Sequence, residues 1–169
     1  MASILGVETL QHTNGTTAAT IDSSGVISQP AIPCACVGLT TANPDDTSNP
    51  YDPANGTIIK WDTVFVNQGS CYDSSTGRFK ATNAGIWEMN YSILAANATS
   101  VDFELRIKKN GTETGQRIYD SVDNNHRQVN SVYLFDLAQN DYIEIAYISG
   151  GIYLNPTTQY SSVTWKFLG

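Results

Sequence analysis

The chain has 169 residues, nine basic against sixteen acidic side chains for a formal net charge of −7, and nine Tyr, five Phe and three Trp. That length fills one sizeable core and calls for no second large domain, while the aromatic content favours strands and turns over helices. The acidic balance serves solubility and excludes phosphate neutralisation as a route to direct nucleic-acid binding.

Residues 1–10 lack the basic and apolar regions of a secretory leader, so the expected place of synthesis is a cytoplasm. No apolar run reaches the ~18 residues that a bilayer span needs, and no membrane partner is expected. Short apolar alternations over 4–10 and 16–21 are separated by Asn14-Gly15 and followed by Asp22-Ser23-Ser24-Gly25. Such turn residues tolerate positive φ or hydrogen-bond their own backbone. The segment therefore reads as short strands joined by tight turns, with too little apolar area to fold alone. Ile4, Leu5, Val7, Leu10 and Ile21 are the side chains expected to dock it on a larger partner. Pro30 and Pro33 close it, giving an anchoring arm over 1–33 and one domain over 34–169.

Residues 34–40 read as a strand on which Cys34 and Cys36 share a face. With Cys71 the count is odd and no spacing suits a zinc knuckle or redox pair, so all three are expected as reduced thiols packed in the core. Residues 41–56 are dense in Pro, Asn and Asp, a composition that stays out of a ladder and lies at the surface. Asp45, Asp46 and Asp52 fall in this loop without the spacing of a calcium hand. A solvated loop is the plainer reading, and neither metal nor cofactor is expected.

From residue 58 strands recur at short spacing: 58–67, 78–81, 85–94, 101–109, 116–120, 129–137, 142–148 and 162–168. Regular short strands with turns between them predict a sandwich or barrel. In 101–109 Val101, Phe103, Leu105 and Ile107 alternate with Asp102, Glu104, Arg106 and Lys108, giving one dry and one wet face. Asn110-Gly111 then signals a two-residue hairpin. Trp87, Met89, Tyr91 and Ile93 share a face, as do Ile143, Ile145 and Tyr147. If Val132, Leu134 and Leu137 fill the sandwich, Tyr133 and Phe135 project outward, and Tyr142, Ala146 and Ile148 do so from the next strand. Adjacent strands apolar on both faces imply a covered outer face. The sequons at Asn14, Asn55, Asn90, Asn97 and Asn110 read as turn chemistry. Catalysis has little to stand on: His12 lies in the arm, His126 lies in a polar turn, and neither has a nucleophile or carboxylate close in sequence. No enzyme is expected.

The pattern Phe65, Asn67, Tyr72-Asp73, Thr76-Gly77-Arg78-Phe79, Gly85-Ile86-Trp87-Glu88-Met89 resembles the signature of the globular head of complement's first component, subcomponent q, and the wider TNF-like jelly-roll group. The likeness runs over 34–169. Trp87 and Met89 replace the usual Tyr and Phe, Asn140 replaces a turn Gly, and no Gly-x-y stalk is present. The resemblance implies an all-β, TNF-like jelly-roll β-sandwich, homotrimeric, with Tyr133, Phe135, Tyr142 and Ile148 as subunit contacts. Residues 5–25 look like the N-terminal segments of virion proteins in tailed phages, cyanophages among them. That likeness implies a particle-surface protein made in a bacterial host: a trimeric capsid decoration (cement) protein bound through residues 1–29 to the major capsid protein or another virion protein. The alternative is a tail-fibre tip or receptor-binding head, with Tyr51, Asp52, Asn124, Asn125, His126 and Arg127 on exposed ligand loops.

Overall fold

The computed structural model describes residues 8–11, 17–28, 32–40, 51–96, 102–120, 127–154 and 160–169. It divides into two compact units, Met1–Ile32 and Pro33–Gly169. In the first, β1 (Thr9–Gln11), β2 (Thr17–Ile21) and β3 (Ile27–Ser28) pair antiparallel in that order. Asp22 makes the β2–β3 turn: its carboxylate accepts from the backbone N–H groups of Ser24 at 2.8 Å and Val26 at 2.9 Å. Gly25 adopts the φ of +79° that the turn requires. Ala19 is buried, whereas Leu10, Val26 and Ile27 are more than half exposed.

The second unit is a sandwich of two antiparallel sheets. The first runs β11 (Arg127–Leu137), β8 (Gly85–Ala96), β14 (Ser162–Phe167), β4 (Cys34–Gly38) and β5 (Thr63–Gln68), with β13 (Gly151–Ile152) also on β8. The second runs β10 (Thr112–Asp120), β9 (Phe103–Lys109), β12 (Tyr142–Ser149), β7 (Arg78–Lys80) and β6 (Tyr72–Asp73). Period-two alternation puts Phe103, Leu105 and Ile107 inside, with Trp87, Met89, Tyr91 and Ile93 opposite. Trp165 is the hinge of this core: its ring stacks on Trp87 at 5.0 Å and meets Phe79 of the other sheet at 6.1 Å. The expected hairpin joins β9 to β10, with Asn110 and Gly111 at φ of +51° and +80°.

Two expectations are corrected. The single strand foreseen over 58–67 is two pieces. Gly56 and Ile59 donate to Tyr147 and Ile145 of β12, and the chain then crosses to the first sheet to become β5. Tyr72 fixes this crossing, because its hydroxyl accepts from the Trp61 N–H at 2.8 Å and donates to the Trp61 carbonyl at 3.1 Å. Likewise β11 and β12, foreseen as neighbours, belong to different sheets. Asn140, at φ +74°, turns the chain across the sandwich, where its N–H donates to the Ala81 carbonyl.

The signature residues act on the fold. Asn67 closes the β5–β6 loop by exchanging two hydrogen bonds with the Tyr72 backbone. Asp73 caps the next turn through Ser75 and Thr76, which hold its carboxyl below its usual range. Gly77 sits at φ +76°, and a Cβ there would stand 2.5 Å from the Ile59 carbonyl oxygen.

Candidate functional site

The outer face of the first sheet is the strongest candidate for an interaction surface. Register fixes what it shows: Val132 on β11, Asn90 on β8, Thr164 on β14, Cys36 on β4 and Val66 on β5 lie side by side in one row. No charged side chain interrupts that row. The next row runs Leu134, Glu88, Lys166, Cys34 and Gln68. Apolar exposure concentrates on the two edge strands. Val132 is 49% and Leu134 59% exposed on one, while Val64, Phe65 and Val66 are each above 40% on the other. Large apolar side chains exposed together on sheet edges mark surfaces that another chain covers.

This face differs from the one foreseen. Leu137 fills the sandwich as expected, but Tyr133 and Phe135 also point into it while Val132 and Leu134 point out, the reverse of the assignment expected for those four. Aromatic packing decides the direction. Phe135 is 7% exposed with its ring 6.0 Å from Trp165, and Tyr133 lies 5.9 Å from Tyr91 and donates its hydroxyl to the Arg117 carbonyl. Burial, with Tyr133 beside it, raises the Tyr91 hydroxyl to about 12. Tyr142 and Ile148 are half-buried on β12, in the other sheet, so the four residues share no surface. Cys34 and Cys36 do share a face, but it is this outer one, and both are half-buried. Cys71 is fully buried, and desolvation pushes its thiol up to about 12. Asn90, read as a turn residue, stands mid-strand.

The other foreseen positions scatter. Tyr51 is wholly buried and pairs with Ile152, so it is core rather than loop surface. Asp52 is exposed and accepts the Tyr147 hydroxyl. Arg127 begins β11, with its guanidinium 3.6 Å from Asp120. In the arm, Leu10 is exposed and Ile21 half-buried, with the Ile21 N–H donating to the Glu8 carbonyl. Ile4, Leu5, Val7, Asn124, Asn125 and His126, and with them Asp45 and Asp46, lie outside the described residues.

The outer face of the second sheet has a different chemistry. Arg78 donates from Nε to the buried Glu144 at 2.8 Å and lies over the Tyr142 ring at 4.1 Å. Arg106 bonds both Glu104 and Glu113 at 3.0 Å. At the sheet's end Asp141 accepts from Asn110 at 2.7 Å and Lys109 at 2.9 Å, which hold its carboxyl below the ordinary range.

Two antiparallel sheets, each with a five-stranded path and β13 added to one, make an all-β sandwich. The family model of the C1q domain matches residues 45–167. The chain belongs to the C1q-domain family. Among solved structures it is similar to the globular domain of zebrafish complement 1qA, at 13% identity and TM-score 0.61, covering 80% of this chain and 96% of that one. Murine APRIL at pH 5.0 is similar at 16% identity and TM-score 0.57, covering 79% and 99%. C1q and TNF-like domains form homotrimers and are typically binding or structural modules rather than enzymes. The first 44 residues lie outside the family match.

Proposed function

We propose that this C1q-domain protein is a homotrimeric phage virion protein, placed on the capsid as a decoration protein and tied to the major capsid protein or another virion protein through residues 1–29. The observation that carries the trimer is the pair of unlike apolar flanks on opposite edges of one sheet face. Flanks that differ in sequence and position meet head to tail rather than patch to identical patch, and such heterologous contacts close into a ring where the rotation between copies closes, as a threefold does. The flank with Val132 and Leu134 on one copy then covers the flank with Val66 on the next.

The arm supports attachment to a larger body. Its three short strands leave Leu10, Val26 and Ile27 exposed, and among the described residues β1 and β3 are the edges of their sheet, where strand addition is possible. The resemblance of residues 5–25 to phage virion segments is what supports a particle as that body. A tail-fibre tip or receptor-binding head is the second reading, favoured by the charged outer face of the second sheet.

Deleting residues 1–29 tests the assignment. The truncated protein is expected to remain a folded trimer and to lose binding to isolated capsids; retained capsid binding would sink the role given to the arm. Copy number on purified particles separates the readings, with hundreds marking decoration and a handful marking a tail part.

A further inference from the structure

We propose that Lys166 of each copy in the trimer pairs with Glu88 of the next, and that this closed ring of ion pairs fixes the register in which the covered faces meet. The inference rests on the trimeric reading given above and holds for either virion location. Register sets Glu88 of β8 directly opposite Lys166 of β14 and, in the neighbouring row, Asn90 opposite Thr164. These four polar side chains form a block midway between the flank of Val132 and Leu134 and the side that carries Cys34, Cys36 and Val66. Asn90, Thr164 and Lys166 are exposed, and Glu88 is half-buried.

The two charges are adjacent yet unbonded. Facing residues on antiparallel strands stand about 4.5–5.5 Å apart at Cα, close enough for a carboxylate and an ammonium to meet. No ion pair joins Glu88 to Lys166, and among the described residues neither makes one elsewhere. The opposite sheet behaves differently. There Arg78 with Glu144, and Arg106 with Glu104, are committed within the protomer.

Covering this face makes free charges unfavourable unless they pair. In a ring closed through the two flanks, the strands midway between them turn toward the threefold axis. Three copies of Lys166 and three of Glu88 then converge there, and three ammonium groups left together out of water would oppose assembly. Alternation of Lys166 with Glu88 of the neighbouring copy removes that opposition. Each copy gives one charge of each sign, so threefold symmetry satisfies all six. The pairs also discriminate. Val132, Leu134 and Val66 would tolerate a face slipped by one row, whereas the slip sets Lys166 against Asn90 and leaves both charges unpaired.

Carbodiimide coupling of the full-length protein tests the ring. The reagent activates a carboxylate, and an amine in contact with it forms an amide as the carbodiimide leaves as its urea. Where sedimentation shows trimer, covalent dimer and trimer are expected on denaturing gels, with the peptide carrying Glu88 joined to the one carrying Lys166. Glu88→Gln and Lys166→Gln should each abolish that ladder. Lys166→Glu is expected to raise the concentration at which the trimer half-dissociates at least tenfold, and Glu88→Lys/Lys166→Glu to restore it, with circular dichroism unchanged in both. An amide confined to single chains, no amide at all, or a Lys166→Glu variant that assembles like wild type overturns the ring and leaves the trimer standing. A wild-type protein that sediments as a monomer overturns the trimeric reading itself, and the ring with it.

Discussion

The two outer faces of this sandwich are built on one core by the same alternation, yet they solve opposite problems. On the first sheet one row runs from Val132 to Val66 with no charge between them, and the next runs from Leu134 to Gln68 with Glu88 and Lys166 side by side at its centre. On the second, Arg78, Arg106 and Arg117 are laced to Glu104, Glu113 and Glu144. Glu144 is buried, but its arginine and the other pairs stand at the solvent boundary, where ion pairs contribute little to stability. Exposed valine and leucine, by contrast, gain free energy only when something covers them. The contrast teaches that side-chain burial within one protomer does not distinguish a surface from an interface; chemistry arranged by register does.

The comparison breaks most completely at what the faces share. Trp165→Ala removes the ring that joins Trp87 to Phe79 and is expected to cost about 3–5 kcal/mol. That is about a fifth or more of an ordinary domain's stability, so both faces are lost in one thermal transition seen by calorimetry. A smaller change separates them. Leu134→Lys places an ammonium opposite Glu88 on the neighbouring strand, so the fold is expected to hold within about 0.5 kcal/mol while sedimentation shifts from trimer to monomer. Maleimide labelling sharpens the outcome: Cys36 is shielded in the trimer and labelled in the variant, whereas Cys71 stays unlabelled in both, buried and with its thiol at about 12. An intact trimer in the variant would mean that self-association uses another surface.

The smallest effect lies in acid. The carboxyls of Asp73 and Asp141 are lowered in the folded protein by Ser75 and Thr76, and by Asn110 and Lys109. Their stabilising contribution is therefore complete above the unfolded carboxyl range near 4 and is lost as pH falls through the lower folded values. Both side chains are solvent-accessible, so only a small drop in melting temperature is expected between pH 5 and pH 2. Asp141→Asn should flatten part of it. Hydrogen exchange should place the loosening at β6, β7 and the β9–β10 hairpin, with the first sheet unaffected.

Most of the architecture was legible in the sequence, because alternation and turn chemistry act locally. The dry side of 103–109 and the Asn110-Gly111 hairpin need no distant information, and the signature from Phe65 to Met89 named the jelly roll. The direction of β11 was not legible. Val132, Leu134, Tyr133, Phe135 and Leu137 are apolar on both sides of the strand, so periodicity offers two equal answers. What decides between them is Trp165, more than two dozen residues away in sequence, which offers an aromatic surface to Phe135 and none to Leu134. The same ambiguity misplaced Cys34 and Cys36. Sheet membership of β11 and β12 was hidden for another reason: a four-residue connection serves equally for a hairpin or for a crossing, and only Asn140, anchored to Ala81, settles it. The cation–π contact of Arg78 with Tyr142 could have been sought from Arg78 and Lys80 alternating around Phe79, a wet-face signal in a three-residue strand.

The position of β14 carries one more consequence, for synthesis. This strand lies between β8 and β4 and, among the described residues, is the link between the two halves of the first sheet. A ribosome must therefore add well over a hundred residues after β4 before that strand finds its partner. At ~5–20 residues per second, the nascent chain waits for many seconds with one edge of β4 unsatisfied. Chaperone dependence and misassembly during high-level expression should track that interval, so slower translation upstream of Ser162 would lower the yield of soluble protein.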